Sequence, residues 1–402
     1  MPNQFLSPEG DLENYFITES WLIDQWVGDT LWTWGHNATG RLGDNTTTNR
    51  STPVTTLAGG ANWKQVSALQ YHTAAIKTDG TLWTWGANSF GALGDNDTTQ
   101  KNTPVTTFAG GTNWKQVSGS VYCTTAIKTD GTLWTWGRNA YGQLGDNTTT
   151  QRITPVTTFA GGTNWKQVAG GREHTAAIKT DGTLWTWGVN NSGQLGNNTT
   201  TQRNTPVTTF AGGTNWKQVA GGSNHTAAIK TDGTLWTWSS GFFGSLGNND
   251  TTDRLTPVTT FAGGTNWKQV SGGYNHTAAI KTDGTLWTWG NNNSGQIGDN
   301  TTTRRSIPVT TFAGGTNWKQ VSGGYKHTAA IKTDGTLWTW GRNYSAQLGT
   351  NNTTDRSTPV TTFAGGTNWK QVSTSLGSYS GGSEPCHTAA VTSGTDPTFF
   401  IS

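Results

Sequence analysis

The hexapeptide Thr30-Leu31-Trp32-Thr33-Trp34-Gly35 returns letter for letter at Thr81, Thr132, Thr183, Thr285 and Thr336, and a copy at Thr234 differs only in ending on Ser239. Each copy lies 51 residues from the last. A constant step of that length with strand-like content is the mark of a repeat architecture, in which each unit buries its apolar face only against its neighbours. The 402 residues are therefore read as one repeat array rather than as two or three ordinary domains.

One unit, Asn266 to Gly315, resolves into four strand candidates. Trp267–Ser271 comes first, followed by a Gly272-Gly273-Tyr274-Asn275 turn; His276–Lys281 is second and runs into Thr282-Asp283-Gly284, an Asp-Gly hairpin signal. Thr285–Trp289 is third. A long Asn/Gly/Thr loop then leads through Pro308 to a fourth strand expected over Val309–Phe312, and Ala313-Gly314-Gly315 crosses to the next unit. Four short antiparallel strands per unit make a propeller blade. Seven Trp-Lys-Gln-Val segments, at Trp63, Trp114, Trp165, Trp216, Trp267, Trp318 and Trp369, match the seven Leu-Trp-Thr-Trp segments. The array starts at the third strand of a blade and ends, at His387–Val391, on a second strand, so the expected fold is all-β, a seven-bladed β-propeller with one blade completed by both termini.

Composition agrees. Gly (55) and Trp (23) are abundant and charged residues only 12%, so Trp carries the burial that Leu and Ile supply in most cores. The two cysteines, Cys123 and Cys386, do not make a disulfide framework. Residues 1–27 stand outside the repeat as an acidic, aromatic arm, with 28–402 as the propeller. Residues 1–29 hold six acids and no Lys or Arg, leaving 26 basic and 17 acidic residues in the remainder. That balance is too dilute for the dense basic stripe of a nucleic-acid binder. No basic n-region with a long apolar run opens the chain, and no segment reaches membrane-spanning length, so synthesis in the cytoplasm without membrane insertion is expected.

The pattern His-Thr-Ala-Ala-Ile-Lys-Thr-Asp-Gly-Thr-Leu-Trp-Thr-Trp-Gly, followed by Gly142-Gln143-Leu144-Gly145 or its equivalents, resembles the RCC1 repeat over about residues 28 to 395. The resemblance implies the RCC1-type propeller, and it carries guanine-nucleotide exchange and chromatin binding as family activities. The chain lacks the basic tail and distinctive loops of the exchange factor. The Asn-Thr-Thr-Thr loops and the run Pro-Val-Thr-Thr-Phe-Ala-Gly-Gly-Thr-Asn-Trp-Lys-Gln-Val also resemble repeats in structural proteins of tailed bacteriophages, especially cyanophages.

Differences between the repeats fall in two short windows. One precedes the His-Thr-Ala-Ala strand and holds Tyr71, Tyr122, Arg172, Tyr274 and Tyr325; the other follows the Trp-Thr-Trp strand and holds Phe90, Arg138, Tyr141, Phe242, Phe243, Arg342 and Tyr344. First-to-second and third-to-fourth connections of an antiparallel blade lie at the same end, so both windows are expected on one variable face. The Thr-Asp-Gly turns and Ala-Gly-Gly-Thr-Asn crossovers, nearly invariant, take the opposite face. An insertion within Ser373 to Pro385 belongs to the variable side. Variable loops on a rigid scaffold are where binding is usually built.

Other columns have plainer readings. His72, His174, His225, His276, His327 and His387 share one position, with Cys123 in the remaining blade, and are read as buried rings bonding a neighbouring backbone group rather than as metal ligands. Arg50, Lys101, Arg152, Arg203, Arg254, Arg305 and Arg356 are expected to pair locally with Asp44, Asp95, Asp146 and Asp299. A ring from Lys64 through Lys370 is expected to lay its stems over aromatic faces. No nucleophile motif, metal motif, phosphate loop or dinucleotide fingerprint is present, so no catalytic residue, metal or cofactor is assigned. The function expected is non-enzymatic binding: a virion surface protein docked on other virion proteins through an arm containing Tyr15, Phe16 and Trp21, with a host surface protein or a glycan as partner of the variable face. A carbohydrate-binding propeller is the alternative.

Overall fold

The computed structural model describes residues 28–57, 60–377 and 386–394. The arm with Tyr15, Phe16 and Trp21, and most of the insertion before Cys386, lie outside the described residues. Twenty-eight strands, β1 to β28 in chain order, form seven four-stranded antiparallel sheets. In the unit read above, β19 (Trp267–Gly272), β20 (His276–Lys281), β21 (Leu286–Gly290) and β22 (Arg305–Thr310) pair in sequence order from the inner edge outward. The seventh sheet runs β2 (Arg50–Thr55), β1 (Thr30–Gly35), β28 (His387–Thr392), β27 (Trp369–Thr374), so β1 and β28, from the two ends of the chain, pair side by side. Closure through the termini is as the repeat count implied.

The turn between β20 and β21 has its own logic. Gly284 donates its N–H to the Lys281 carbonyl at 3.0 Å with φ of 81°, a type I turn closed by a left-handed residue. A Cβ at Gly284 would lie 1.9 Å from the Thr316 carbonyl oxygen of the following crossover, so only glycine fits. Asp283 holds the Thr285 N–H and hydroxyl at 2.9 and 2.7 Å. That bonding takes Thr285 out of the ladder, and the third strand starts at Leu286, one residue later than expected.

The fourth strand corrects the sequence reading more deeply. It begins at Arg305 and ends at Thr310, so Pro308 lies inside it and Phe312 beyond it. Proline is tolerated because β22 is an edge strand and its pairing with β21 skips between Thr288↔Val309 and Gly290↔Arg305.

The core lies between blades. Ala227, Ile229 and Leu235 of one blade meet Trp267, Val270, Ala279 and Trp289 of the next, and the two indoles pack edge-to-face at 6.2 Å. The buried indole N–H donates across the seam, as from Trp289 Nε1 to the Ser245 carbonyl at 2.9 Å, so no polar atom is lost with the ring. Nearer the axis, Gln218 Nε2 donates to the Val270 carbonyl while its Oε1 accepts from the Val270 N–H, at 3.2 and 3.0 Å. The same two-point contact recurs at every seam, ending with Gln371 on Val66.

Candidate functional site

The two variable windows meet at one end of the blades. Backbone bonds join them: Ala87 N–H to the Tyr71 carbonyl, Arg138 to Tyr122, Asn291 to Asn275 and Arg342 to Lys326, all at 2.8 to 2.9 Å. Adjacent blades are tied as well, since Tyr274 N–H reaches the Gly324 carbonyl at 3.0 Å and Tyr325 N–H the Ser375 carbonyl at 2.9 Å. The face is a fixed platform on which side chains sort into two assemblies and some outliers.

The first assembly stacks Tyr71 on Tyr122 at 4.5 Å with ring planes 9° apart, and Phe90 leans on Tyr122 at 4.9 Å. Arg138 lies over Phe90 and Tyr141 at 5.7 and 5.3 Å and bonds Glu173 at 3.0 Å, so five expected residues are in one cluster. Beneath them is a residue the sequence reading passed over. Arg41 is fully buried, donates to the Gln70 carbonyl at 2.6 Å and to the Thr39 hydroxyl at 3.1 Å, and lies 5.4 Å from the Tyr71 ring centre. Loss of hydration lowers its guanidinium to about 10. The signal was its departure from Gln143, Gln194, Gln296 and Gln347 at the same repeat position. Burial, with the proximity of Arg41, lowers His36 to about 4.

The second assembly is concave. Phe242, Phe243, Tyr274 and Tyr325, with Asn275, Asn291, Asn293, Gln296 and Lys326, line an open pocket of about 300 Å³. Phe242 and Phe243 touch at 4.1 Å, Phe242 remains 59% exposed, and Phe243 is held at φ of 63°. A bulky side chain in the left-handed region is uncommon and costs backbone energy. Ser239, at φ of 83° where the other copies have glycine, supports the loop by donating to the Asn224 carbonyl at 2.7 Å. The single break in the repeated hexapeptide thus starts the loop that carries Phe242 and Phe243. Tyr325 corrects its expected role: it is 2% exposed, packed under Gly377 and against Tyr274, and serves as floor rather than contact surface. The amides of Asn293 and Gln296 were passed over in sequence, because Gln is the commonest residue at the Gln296 position and Asn293 lies in an Asn-rich loop.

Arg342 and Tyr344 form a separate pair at 5.6 Å, with Tyr344 66% exposed, and Arg172 is half-buried at the edge of the first assembly, next to Glu173 and with its carbonyl accepting from the Val121 N–H at 3.4 Å. The histidine column is buried as expected, but its partner is not backbone. His225 Nε2 meets the Thr277 hydroxyl of the next blade at 2.8 Å, and that hydroxyl donates to the Ser245 carbonyl. The threonine's one proton is spent on the carbonyl, so the imidazole donates and is neutral with Nε2 protonated. This contact repeats at six seams, from His72–Thr124 round to His387–Thr73, and is missing only where Cys123 replaces the ring. Cys123 Sγ turns to the Ser120 hydroxyl at 2.9 Å, and burial pushes its thiol up to about 11.

Four of the seven loop cations pair as expected, Arg50 with Asp44, Arg152 with Asp146, Arg305 with Asp299 and Lys101 with Asp95, the last also with Asp97, while Arg254 pairs with Asp250 and the units of Arg203 and Arg356 carry Asn197 and Thr350 in place of the aspartate. The lysines over aromatic faces are other ones. Lys281 lies 4.9 and 4.5 Å from the Trp267 and Trp287 ring centres, and five equivalents from Lys77 to Lys332 repeat it. Lys268 and its equivalents sit at a register break between Trp267 and Gln269 that turns them into solvent.

The RCC1-like domain profile covers residues 124–398, and the regulator of chromosome condensation (RCC1) repeat profile covers 29–76 and 79–127. The chain is 35% identical over 341 residues to the ultraviolet-B receptor UVR8 of Arabidopsis thaliana, spanning 83% of this chain and 77% of the receptor. It is 27% identical over 349 residues to the human E3 ubiquitin-protein ligase HERC2, of which it spans 7%. Among solved structures, human WBSCR16 aligns with a TM-score of 0.77 at 19% identity over 91% of this chain and 99% of that one. Prp20p of Saccharomyces cerevisiae aligns with a TM-score of 0.78 at 18% identity over 91% of each chain. At those identities they share the fold. With seven seams built on one repeated set of Gln and Trp contacts, and with the two profiles together matching along its length, the chain belongs to the RCC1-like propeller family.

Proposed function

We propose that the chain is a non-catalytic binding propeller whose variable face takes its partner in the pocket between Phe242, Phe243, Tyr274 and Lys326. The observation that carries this reading is the backbone strain at half-buried Phe243, which sets the exposed Phe242 ring beside convergent amides. Such strain concentrates at functional sites, and a concave site with aromatic walls and a few fixed polar groups is the usual form of a ligand pocket. Repeat wording that resembles tailed-phage structural proteins supports a virion surface setting, with residues 1–27 as the docking arm and a host surface protein as partner of the face. The aromatic-plus-amide lining favours a second reading, a glycan ligand, since sugar rings stack on aromatic faces and bond to amides.

The test is a glycan array and a host-cell binding assay run in parallel on the full chain and on Phe242→Ala/Tyr274→Ala. Binding to host cells that falls at least about tenfold in the double variant, the loss of one or two buried aromatic anchors, is the expected result. A hit on the array reassigns the partner to a sugar. Undiminished cell binding by the double variant removes the pocket from the function.

A further inference from the structure

The face opposite the pocket carries two concentric rings, one apolar and one basic. Six of the outer strands end in the same tight turn: Gly314 N–H donates to the Thr311 carbonyl at 3.0 Å, and Phe312 occupies the first corner. Phe108, Phe159, Phe210, Phe261, Phe312 and Phe363 hold this corner, Leu57 stands at the same repeat position in the remaining unit, and all seven are 63 to 66% exposed. The turn projects from the body, because a Cβ added at Gly314 or its equivalents would meet nothing within 4 Å. Core packing does not explain a bulky apolar residue there in every repeat, since the buried neighbour Thr311 closes the blade by itself.

Inside that ring, at the start of each innermost strand, stands an exposed lysine: Lys64, Lys115, Lys166, Lys217, Lys268, Lys319 and Lys370. Between the rings lie the Thr-Asp-Gly turns with their six aspartates and the six lysines over tryptophan, and Asp29 completes the set by pairing with Lys370. Thirteen lysines against seven aspartates leave the described part of this face with an excess of six positive charges.

We propose that this face docks on an anionic lipid surface, with the apolar corners entering the headgroup region and the lysines neutralising acidic headgroups. Three observations choose that occupant. The charge excess excludes a second copy of the same face, which would oppose like charges. The apolar residues are the same at six of seven corners and recur at equal steps of a closed ring, which sets them at one height. A folded protein partner of lower symmetry engages only one or two such corners, whereas a bilayer is flat and laterally uniform and takes all seven at once. Apolar anchors combined with basic residues are the physical pair that holds proteins at anionic membrane interfaces without spanning them. The inference is independent of the pocket, which lies on the other side of the disc.

The experiment is co-sedimentation of the full chain with vesicles of phosphatidylcholine alone or with about 30 mol% phosphatidylserine, a composition giving a strongly negative surface. Partition onto the acidic vesicles at least about tenfold above the neutral ones, falling as salt is raised, is expected. Phe159→Ser/Phe210→Ser/Phe261→Ser changes three exposed side chains and leaves the core intact; it should lower partition by more than about tenfold, the apolar share of adsorption. An environment-sensitive dye on Phe210→Cys should shift to the blue on acidic vesicles while the same dye on Tyr344→Cys should not, the native cysteines both being buried. No excess on acidic vesicles overturns the proposal. So does partition that the triple variant leaves unchanged, which is adsorption of a polycation to any polyanion, and so does a shift at Tyr344→Cys alone, which puts the other face on the lipid.

Discussion

At the scale of single residues, six imidazoles are buried in a ring of polar contacts and held neutral by it. Loss of hydration pushes His72, His174, His276 and His327 down to about 3 and His225 to about 4, and drives His387 in the same direction. In the unfolded chain a histidine takes up its proton near about pH 6.5. Between the two values the unfolded state binds more protons than the folded one, so stability is complete above about pH 6.5 and declines as pH falls toward about 4. The expected outcome is a Tm that is level from neutral to mildly alkaline pH and falls steeply below about pH 6.5. His225→Phe should flatten that fall by one proton's share while lowering Tm at pH 7, because the Thr277 hydroxyl loses its donor. A Tm unchanged between pH 7 and 4 would mean that the rings are hydrated and that the seam contacts do not hold in solution.

At the scale of the strand, the two tryptophans of each Leu-Trp-Thr-Trp segment have different work. Trp238 is fully buried with Ile178, Leu184 and Trp216 at the seam between two blades, and its Nε1 reaches across to the Gln194 carbonyl. Trp236, two residues away on the same face of the strand, packs half-buried at the rim of the same cluster, edge-to-face with Trp216 at 6.3 Å and under the Lys230 ammonium at 4.6 Å, with its Nε1 on Thr234 of its own turn. Trp238→Ala should cost about 3 to 5 kcal/mol, the range for truncating a buried aromatic. Trp236→Ala should cost about 1 to 2 kcal/mol, since it removes a partly wet ring and one cation contact. Urea unfolding of the two variants checks the order, and equal losses would contradict the difference in burial between the two rings. That both rings share one strand face was legible in the sequence from their spacing of two. Which of them is fully buried was not, because that depends on the neighbouring blade.

At the scale of the molecule, the ring closes through β1 and β28 in one sheet. Removing residues 386–402 takes away the strand that joins β1 to β27 and cuts contacts at two seams at once, His387–Thr73 on one side and His327–Thr388 on the other. The expected outcome is loss of a single cooperative transition and proteolytic sensitivity in several blades, read by calorimetry and limited proteolysis. An open stack would instead lose only its terminal repeat and keep the rest.

Sequence by itself determined the architecture: the 51-residue step, the Gly of each Thr-Asp-Gly turn and the offset cut at the termini leave a closed seven-bladed ring as the consistent reading, because a repeat buries its face only against its neighbours. It also determined the variable windows, since differences between copies are visible in one chain. Only the tertiary structure decided how those residues group. Tyr71, Phe90, Tyr122, Arg138 and Tyr141 converge on one cluster over a buried Arg41, Phe242, Phe243 and Tyr274 surround a pocket, and Tyr325 sinks beneath it. The histidine partner, the place of Pro308 inside the edge strand and the lysines over tryptophan also waited for it. The physical reason is common to all of these. Periodicity encodes contacts that repeat from unit to unit, whereas the direction of a loop side chain depends on backbone angles and on neighbours a full blade away, and a local window of sequence specifies neither.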